Sequence, residues 1–374
     1  MRGHTLRFVL GWRCFRRKNQ QPSGDYEHQK GLMKVRGNIQ KFAVMARFAI
    51  AAALITGIAS VCFGQDPEDV IRTSTTLVQL PVGVVDKQGN AVTSLSRNDF
   101  AVYEDGVKQS IQLFEPAQTP FSVVLLLDMS GSTITFRQQL KLASIRFLDA
   151  LGPQDRVAVI QFNAKVKSLT DFTLDRKKTA YAIDVLAQGS GETNFYEALA
   201  FALKELDKEG KRRKAIIVLS DGLDSQLRNV DRQTVSAAQT DAEALSMIKP
   251  EASPQLNAVL SAADRQGVTI YPLALPSGDP KRLPLPTPSI TGIYASARAR
   301  MQTLAERTGG RLNEVNRLEK MAELYREVAA NLRTLYTVGY QPQGDRPAGK
   351  WHEIRVEVTN PALIARTKTG YVGR

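Results

Sequence analysis

From Phe121 onward the chain alternates short, wholly apolar runs with amphipathic stretches of helical length. Ser122-Val-Val-Leu-Leu-Leu127, Arg156-Val-Ala-Val-Ile-Gln-Phe162, Lys214-Ala-Ile-Ile-Val-Leu-Ser220 and Val268-Thr-Ile-Tyr-Pro-Leu-Ala274 read as strands. Between them, Leu140, Ala143, Phe147 and Leu151 recur at helical spacing, and further helices are expected near 177–186, 195–208 and 255–265. Buried strands alternating with helices imply an α/β fold with a doubly wound, mainly parallel sheet covered on both faces. Helices at 294–307 and 318–333 follow, and Met321, Leu324, Val328 and Leu332 mark a core stripe on the second.

The ends follow a different rhythm. Leu77–Val85, Asp99–Tyr103 and Ser110–Phe114 are short β-rich segments, broken by turn clusters at Lys87–Asn90 and Glu104-Asp-Gly106. They predict a small antiparallel β module. Leu335–Tyr340 and His352–Val358 alternate in the same way and are expected to join it. The Ser-, Gln-, Asn- and Pro-containing segment 224–254 reads as a surface insertion, and proline-rich Pro276–Pro288 as an extended exposed loop.

Ahead of these elements, Phe48–Gly64 is an uncharged run of 17 residues that follows a basic stretch and ends among small side chains. This is the pattern of a signal peptide, with an uncleaved N-terminal anchor as the alternative. Met33 and Met45 offer starts that would give a shorter leader. Val61 before Cys62 argues against lipidation. The expected organisation is a leader at 1–64, a β module at 65–119, an α/β domain at 120–334 and C-terminal strands at 335–374. Export places the protein in the periplasm, in the medium or at the cell surface.

The formal charge of +13 first suggests nucleic acid, but its distribution changes that reading. Residues 1–47 hold 11 Lys/Arg against 2 Asp/Glu, whereas residues 65–374 hold 39 against 35. No nucleic-acid partner is therefore expected, and membrane contact only through an uncleaved leader. Both cysteines, Cys14 and Cys62, lie in the leader, which removes disulfides, thiolate metal sites and a cysteine nucleophile from the exported part. Of the three histidines, only His352 lies beyond the leader, where it reads as a surface strand residue. No phosphate loop, nucleophile elbow or His-Glu-x-x-His helix is present, and no enzyme activity is expected.

The candidate chemistry sits where the first α/β strand runs into Asp128-Met-Ser-Gly-Ser132. Ligands of open α/β sheets bind at this carboxyl edge. Alternation in an extended turn, with Gly131 easing the bend, would aim the oxygens of Asp128, Ser130 and Ser132 at one point. Such a set suits a hard cation such as Mg²⁺, although these triplets also serve as caps and turns. Two more segments, Gly189-Ser-Gly-Glu-Thr193 before a helix and Ser220-Asp221-Gly222 at a strand end, could reach the same edge.

Asp128-x-Ser130-x-Ser132, Thr193 and Asp221, in this order, resemble the metal-ion-dependent adhesion site of von Willebrand factor A domains. The resemblance covers about residues 120–334. It implies that Ser130, Ser132 and Thr193 bind Mg²⁺, with Mn²⁺ as an alternative, while Asp128 and Asp221 act chiefly through water. It also implies an open position for an Asp or Glu carboxylate of a protein ligand. The flanks, Val92–Gly106 and Tyr336-x-Val-Gly-Tyr340 through Gly370-Tyr371, are similar to bacterial secreted proteins related to this family. The implied function is Mg²⁺-dependent protein–protein interaction or adhesion outside the cytoplasm. A scaffold with a purely structural metal site and a metal-dependent hydrolase stay open as alternatives.

Overall fold

The computed structural model describes residues 77–276, 286–315, 317–344 and 347–373; the leader and part of the proline-rich segment lie outside them. The described strands are β1 (Val78–Val85), β2 (Phe100–Glu104), β3 (Val107–Gln109), β4 (Ile111–Glu115), β5 (Phe121–Asp128), β6 (Arg156–Phe162) and β7 (Val166–Thr173). They continue as β8 (Arg213–Ser220), β9 (Val268–Ala274), β10 (Asn313–Glu314), β11 (Leu335–Tyr340), β12 (Trp351–Val358), β13 (Ile364–Arg366) and β14 (Gly370–Val372). The α-helices are α1 (Arg137–Asp149), α2 (Arg176–Tyr181), α3 (Phe195–Asp207), α4 (Ser225–Thr234), α5 (Asp241–Ser246), α6 (Pro254–Gln266), α7 (Pro288–Thr308) and α8 (Met321–Thr334).

The central sheet runs β10-β9-β8-β5-β6-β7. All pairings in it are parallel except β6 with β7, an antiparallel edge that the sequence reading did not foresee. β7 carries a mixed pattern of partly exposed residues, so no apolar run announces it. In β5 every residue is buried, and its alternation divides two cores. Val123, Leu125 and Leu127 meet Leu140 and Phe147 of α1 and Met321, Tyr325 and Val328 of α8. Val124 and Leu126 face Leu199 and Leu203 of α3, Leu256 and Leu260 of α6 and Met301 of α7. The expected stripe on the last helix is thus core, with Leu324 packed at its margin.

The flanking strands build two further sheets, β13-β1-β11-β4 and β14-β12-β2-β3. The C-terminal strands intercalate: β11 pairs antiparallel with β1, and β12 with β2. Val82, Val102, Tyr336 and Val338 belong to one shared core, and Tyr336 stacks among Phe100 and Phe114 at centroid distances of 5.0 and 5.9 Å. One detail differs from expectation. The Glu104-Asp-Gly106 turn joins β2 to Val107–Gln109, while Ile111–Glu115 crosses to the other sheet and pairs with β11.

The segment 224–254, read from the sequence as a surface insertion, is largely helical. Asp224 caps α4 through Gln226 and Leu227 N–H, and Thr240 caps α5 through Glu243 N–H. Val235 and Ala244 form a small core with Ile293 and Ala297 of α7. Polar composition hid this, because only one side of each short helix is apolar. Asp231 of α4 and Arg300 of α7, both buried, form a bidentate pair with one bond of 2.8 Å. Truncating one partner strands a charge in the interior. Asp231→Ala is therefore expected to destabilise the fold by about 3–5 kcal/mol. Urea unfolding measures this, and Asp231→Ala/Arg300→Met is expected to recover part of the loss.

Candidate functional site

The site is assembled by three loops at the carboxyl edge of the central sheet. β5 ends on Asp128, β8 ends on Ser220, and the 189–194 loop leads into α3. The first two strands are parallel neighbours in register, Leu127 opposite Leu219, so their carboxyl ends emerge side by side. Glycine brings in the third loop. Gly131 N–H donates to Gly191 O at 3.0 Å, Gly191 takes a φ of 95°, and a Cβ on Gly189 would stand 3.0 Å from Met129 O.

Asp128 is fully buried. Its Oδ1 accepts from Ser130 N–H at 2.9 Å, and its Oδ2 from the Ser220 hydroxyl at 2.6 Å. The Ser130 and Ser132 hydroxyls lie 3.1 Å apart. They arrive by a route other than the extended turn the sequence suggested. Ser130 is extended, with φ −71° and ψ 174°, but Gly131–Phe136 is a 3₁₀ helix, so Ser132 sits in its first turn. A Cβ on Gly131 would meet nothing closer than 3.5 Å. The glycine freedom on which the loops depend therefore lies at 189 and 191 instead.

Asp221 is also buried, with Oδ1 accepting from Leu223 N–H at 3.1 Å and Oδ2 without any hydrogen-bond partner. Thr193 precedes the N-cap of α3, which is Asn194. It is 7% exposed and tied in both directions to the segment that follows β8: its N–H donates to the Ser225 hydroxyl at 3.0 Å, and its carbonyl accepts from Ser225 N–H at 2.9 Å. The structure thus brings Asp128, Ser130, Ser132 and Asp221 into one cluster and lays the Thr193 backbone against the loop that carries Asp221.

The electrostatics define what is missing. Burial, followed by repulsion from Asp221, pushes Asp128 from its ordinary 3.8 up to about 7. Burial raises Asp221 as well, against the Ser132 hydroxyl, the Leu223 N–H and Arg298, which favour its charged form. Two carboxylates out of water, one with an orphaned oxygen, and a pair of hydroxyls beside them form an all-oxygen set short of positive charge. That set fits a hard divalent cation.

Several supporting residues escaped the sequence reading. Ser220 holds Asp128 from the neighbouring strand and accepts from Gly222 N–H at 3.0 Å. Thr133 Oγ1 stands 2.9 Å from Asp128 O and 3.0 Å from Ser130 O, while Arg137 Nη2 donates to Met129 O and Ser130 O, each at 3.2 Å. Gly222, at φ 78°, packs so tightly that a Cβ would stand 2.3 Å from Met301 Sδ. Only Ser220, adjacent to Asp221 in the motif, had a sequence signal. The others act through carbonyls and packing, which carry no motif.

Among solved structures, the chain is similar to a von Willebrand factor type A protein from Catenulispora acidiphila, at 12% identity, over 80% of this chain and 74% of that one, with a TM-score of 0.42. It is also similar to the vWF domain of the type V pili tip protein Mfa5 from Porphyromonas gingivalis, at 14% identity over 61% and 98%, TM-score 0.42. A third likeness is to proximal thread matrix protein 1 from the mussel byssus with a zinc-occupied MIDAS motif, at 13% identity over 62% and 50%, TM-score 0.40. No curated protein matches the sequence. Residues 123–223 match the von Willebrand factor type A domain family, and that span contains Asp128, Ser130, Ser132, Thr193 and Asp221. The protein therefore carries a von Willebrand factor type A domain.

Proposed function

We propose that the protein is an exported, non-enzymatic interaction module whose metal-ion-dependent adhesion site binds a carboxylate of a protein partner. The observation that carries this reading is the buried pair Asp128 and Asp221, with one unpartnered carboxylate oxygen beside the Ser130 and Ser132 hydroxyls. Ser130, Ser132 and Thr193 would hold Mg²⁺ directly, and Asp128 and Asp221 would neutralise it through water. The bound ion supplies an electrophilic position for an Asp or Glu side chain. With few charged ligands and several retained waters, Mg²⁺ is favoured over Ca²⁺, and Mn²⁺ is the natural substitute.

The surroundings suit docking. Ile134, in the 3₁₀ helix that follows Ser132, is 53% exposed and offers an apolar contact beside the charged centre. From Asn194 and Asp224 a groove of about 560 Å³ runs between α3 and α6, floored by Leu203 and Val259 and rimmed by Lys204 and Arg265. Neighbouring surfaces of this kind would add the specificity that one carboxylate lacks. Export rests on the apolar run 48–64, which lies outside the described residues; among the described residues no helix is long and apolar enough to cross a membrane.

Calorimetric titration of Mg²⁺ into the full chain tests the site. Saturable binding is expected, and its loss in Asp128→Ala/Ser130→Ala with an unchanged circular dichroism spectrum. A folded wild type that binds neither Mg²⁺ nor Mn²⁺ would sink the reading. Partner binding that survives EDTA would favour a purely structural site.

The metal-free protein also has an expected pH signature. The folded-state pKa of Asp128, about 7, lies above its ordinary 3.8, so the folded chain holds the proton more tightly. That contribution is fully present below pH 3.8 and is lost as pH rises through about 7. In EDTA, thermal unfolding attributable to this group is expected to fall in temperature across that window. Saturating Mg²⁺, or Asp128→Asn, is expected to flatten the dependence.

A further inference from the structure

The β sandwich holds a second cluster of ligand-type side chains, remote in sequence from the adhesion site. Glu104 ends β2, Asp105 opens the turn to β3, and His352 lies on β12, the strand paired with β2. His352 was expected on the surface, yet it is 2% exposed, because its ring packs 5.5 Å from that of Tyr371 and lies under the returning C-terminal strand. Glu104 is equally buried and accepts hydrogen bonds from the Tyr340 and Tyr371 hydroxyls. These bonds hold its carboxylate in place. Asp105 takes a φ of 49°, and its Oδ1 accepts from Glu353 N–H at 2.9 Å, which fixes the turn against β12.

The result is one imidazole nitrogen facing two carboxylates. Nδ1 of His352 lies 2.8 Å from Asp105 Oδ2 and 3.6 Å from Glu104 Oε1, and ligand atoms from all three side chains fall within 4.8 Å of one another. A single N–H cannot serve both carboxylates, and the longer separation exceeds a hydrogen bond. Ligand atoms around a tetrahedral zinc ion stand about 3.3 Å apart, a spacing that the two distances bracket. Nε2, on the far side of the buried ring, has no hydrogen-bond partner. Without a cation, Nδ1–H donates to the Asp105 carboxylate; a bound cation would take the place of that proton, which leaves to Nε2 or to solvent and frees the Nδ1 lone pair as a ligand.

We propose that Glu104, Asp105 and His352 form a binding site for a zinc-class divalent cation, which staples the β2–β3 turn to β12. The nitrogen ligand selects against Mg²⁺ and Ca²⁺, which take oxygen, and for Zn²⁺ or a similar transition metal. Entry is through the Asp105 side, where the side chain is 42% exposed. Water on that side fills the fourth position.

The test keeps the two sites apart by using the full chain with Asp128→Ala/Ser130→Ala. Zn²⁺ titrated into this protein is expected to bind at one equivalent and raise the unfolding temperature. X-ray absorption at the zinc edge is expected to show one imidazole nitrogen among oxygen ligands. Asp105→Asn, at a partly exposed turn, keeps the fold by circular dichroism and loses the equivalent; His352→Gln loses it as well. No zinc uptake by the parent, or unchanged uptake by folded Asp105→Asn, overturns the proposal. Because the adhesion-site residues are already removed, either result leaves the reading of that site untouched.

Discussion

The structure depends on the complete burial of β5. Its eight residues lie between two helical layers and two parallel neighbours, and the strand delivers Asp128 into the interior at its carboxyl end. A carboxylate there is expensive unless it is held by hydrogen bonds or by a cation. The surrounding loops supply the bonds: Ser130 N–H and the Ser220 hydroxyl take one oxygen each. Asp221, delivered the same way by β8, adds a second buried negative charge and leaves one oxygen without a partner. The sheet thus stabilises the fold and at the same time creates a local deficit of positive charge. In the reading proposed here, Mg²⁺ fills that deficit.

Rigidity of the site follows from the same packing. The 189–194 loop lies against Met129 closely enough that a Cβ on Gly189 would force a shift, while Gly191, with open space around it, holds a φ of 95° that strains any larger residue. Ser225 ties Thr193 to the loop after β8, and Asp224 both caps α4 and faces Tyr196 N–H at 3.4 Å. The segment 224–254, read from the sequence as a surface insertion, is therefore continuous with the support of the site. Its Asp231–Arg300 pair fastens it to α7, the helix that also supplies Met301 beneath Gly222.

The flanking β strands show how chain ends are handled in this architecture. β1 and β2 take their partners from more than 230 residues away, as in the register Val82 opposite Tyr336 and Val102 opposite Val356. Such pairing places chain near both ends in one apolar core and buries His352, Glu104 and two tyrosine hydroxyls at its margin. A polar cluster of that depth is held by its mutual bonds, and in the further proposal by a cation.

How much of this was legible in the sequence depended on the range of the physics. Periodicity is local, so the buried runs at 122–127, 156–162, 214–220 and 268–274 and the helical stripe through Met321, Val328 and Leu332 identified the α/β layers directly. Asp128, Ser130, Ser132, Thr193 and Asp221 stand at strand ends or before a helix, but as residue types they also read as caps and turns, and it was the resemblance of their order to a known metal site that singled them out as candidates. Tertiary structure alone decided the rest. The edge strand β7, the helices in 225–246 and the burial of His352 arise from contacts between distant segments, and composition does not encode which segment arrives. The same holds for the raised pKa of Asp128. A carboxylate's charge is set by the water and neighbours around it, and only folding puts Asp221 beside it and takes the water away.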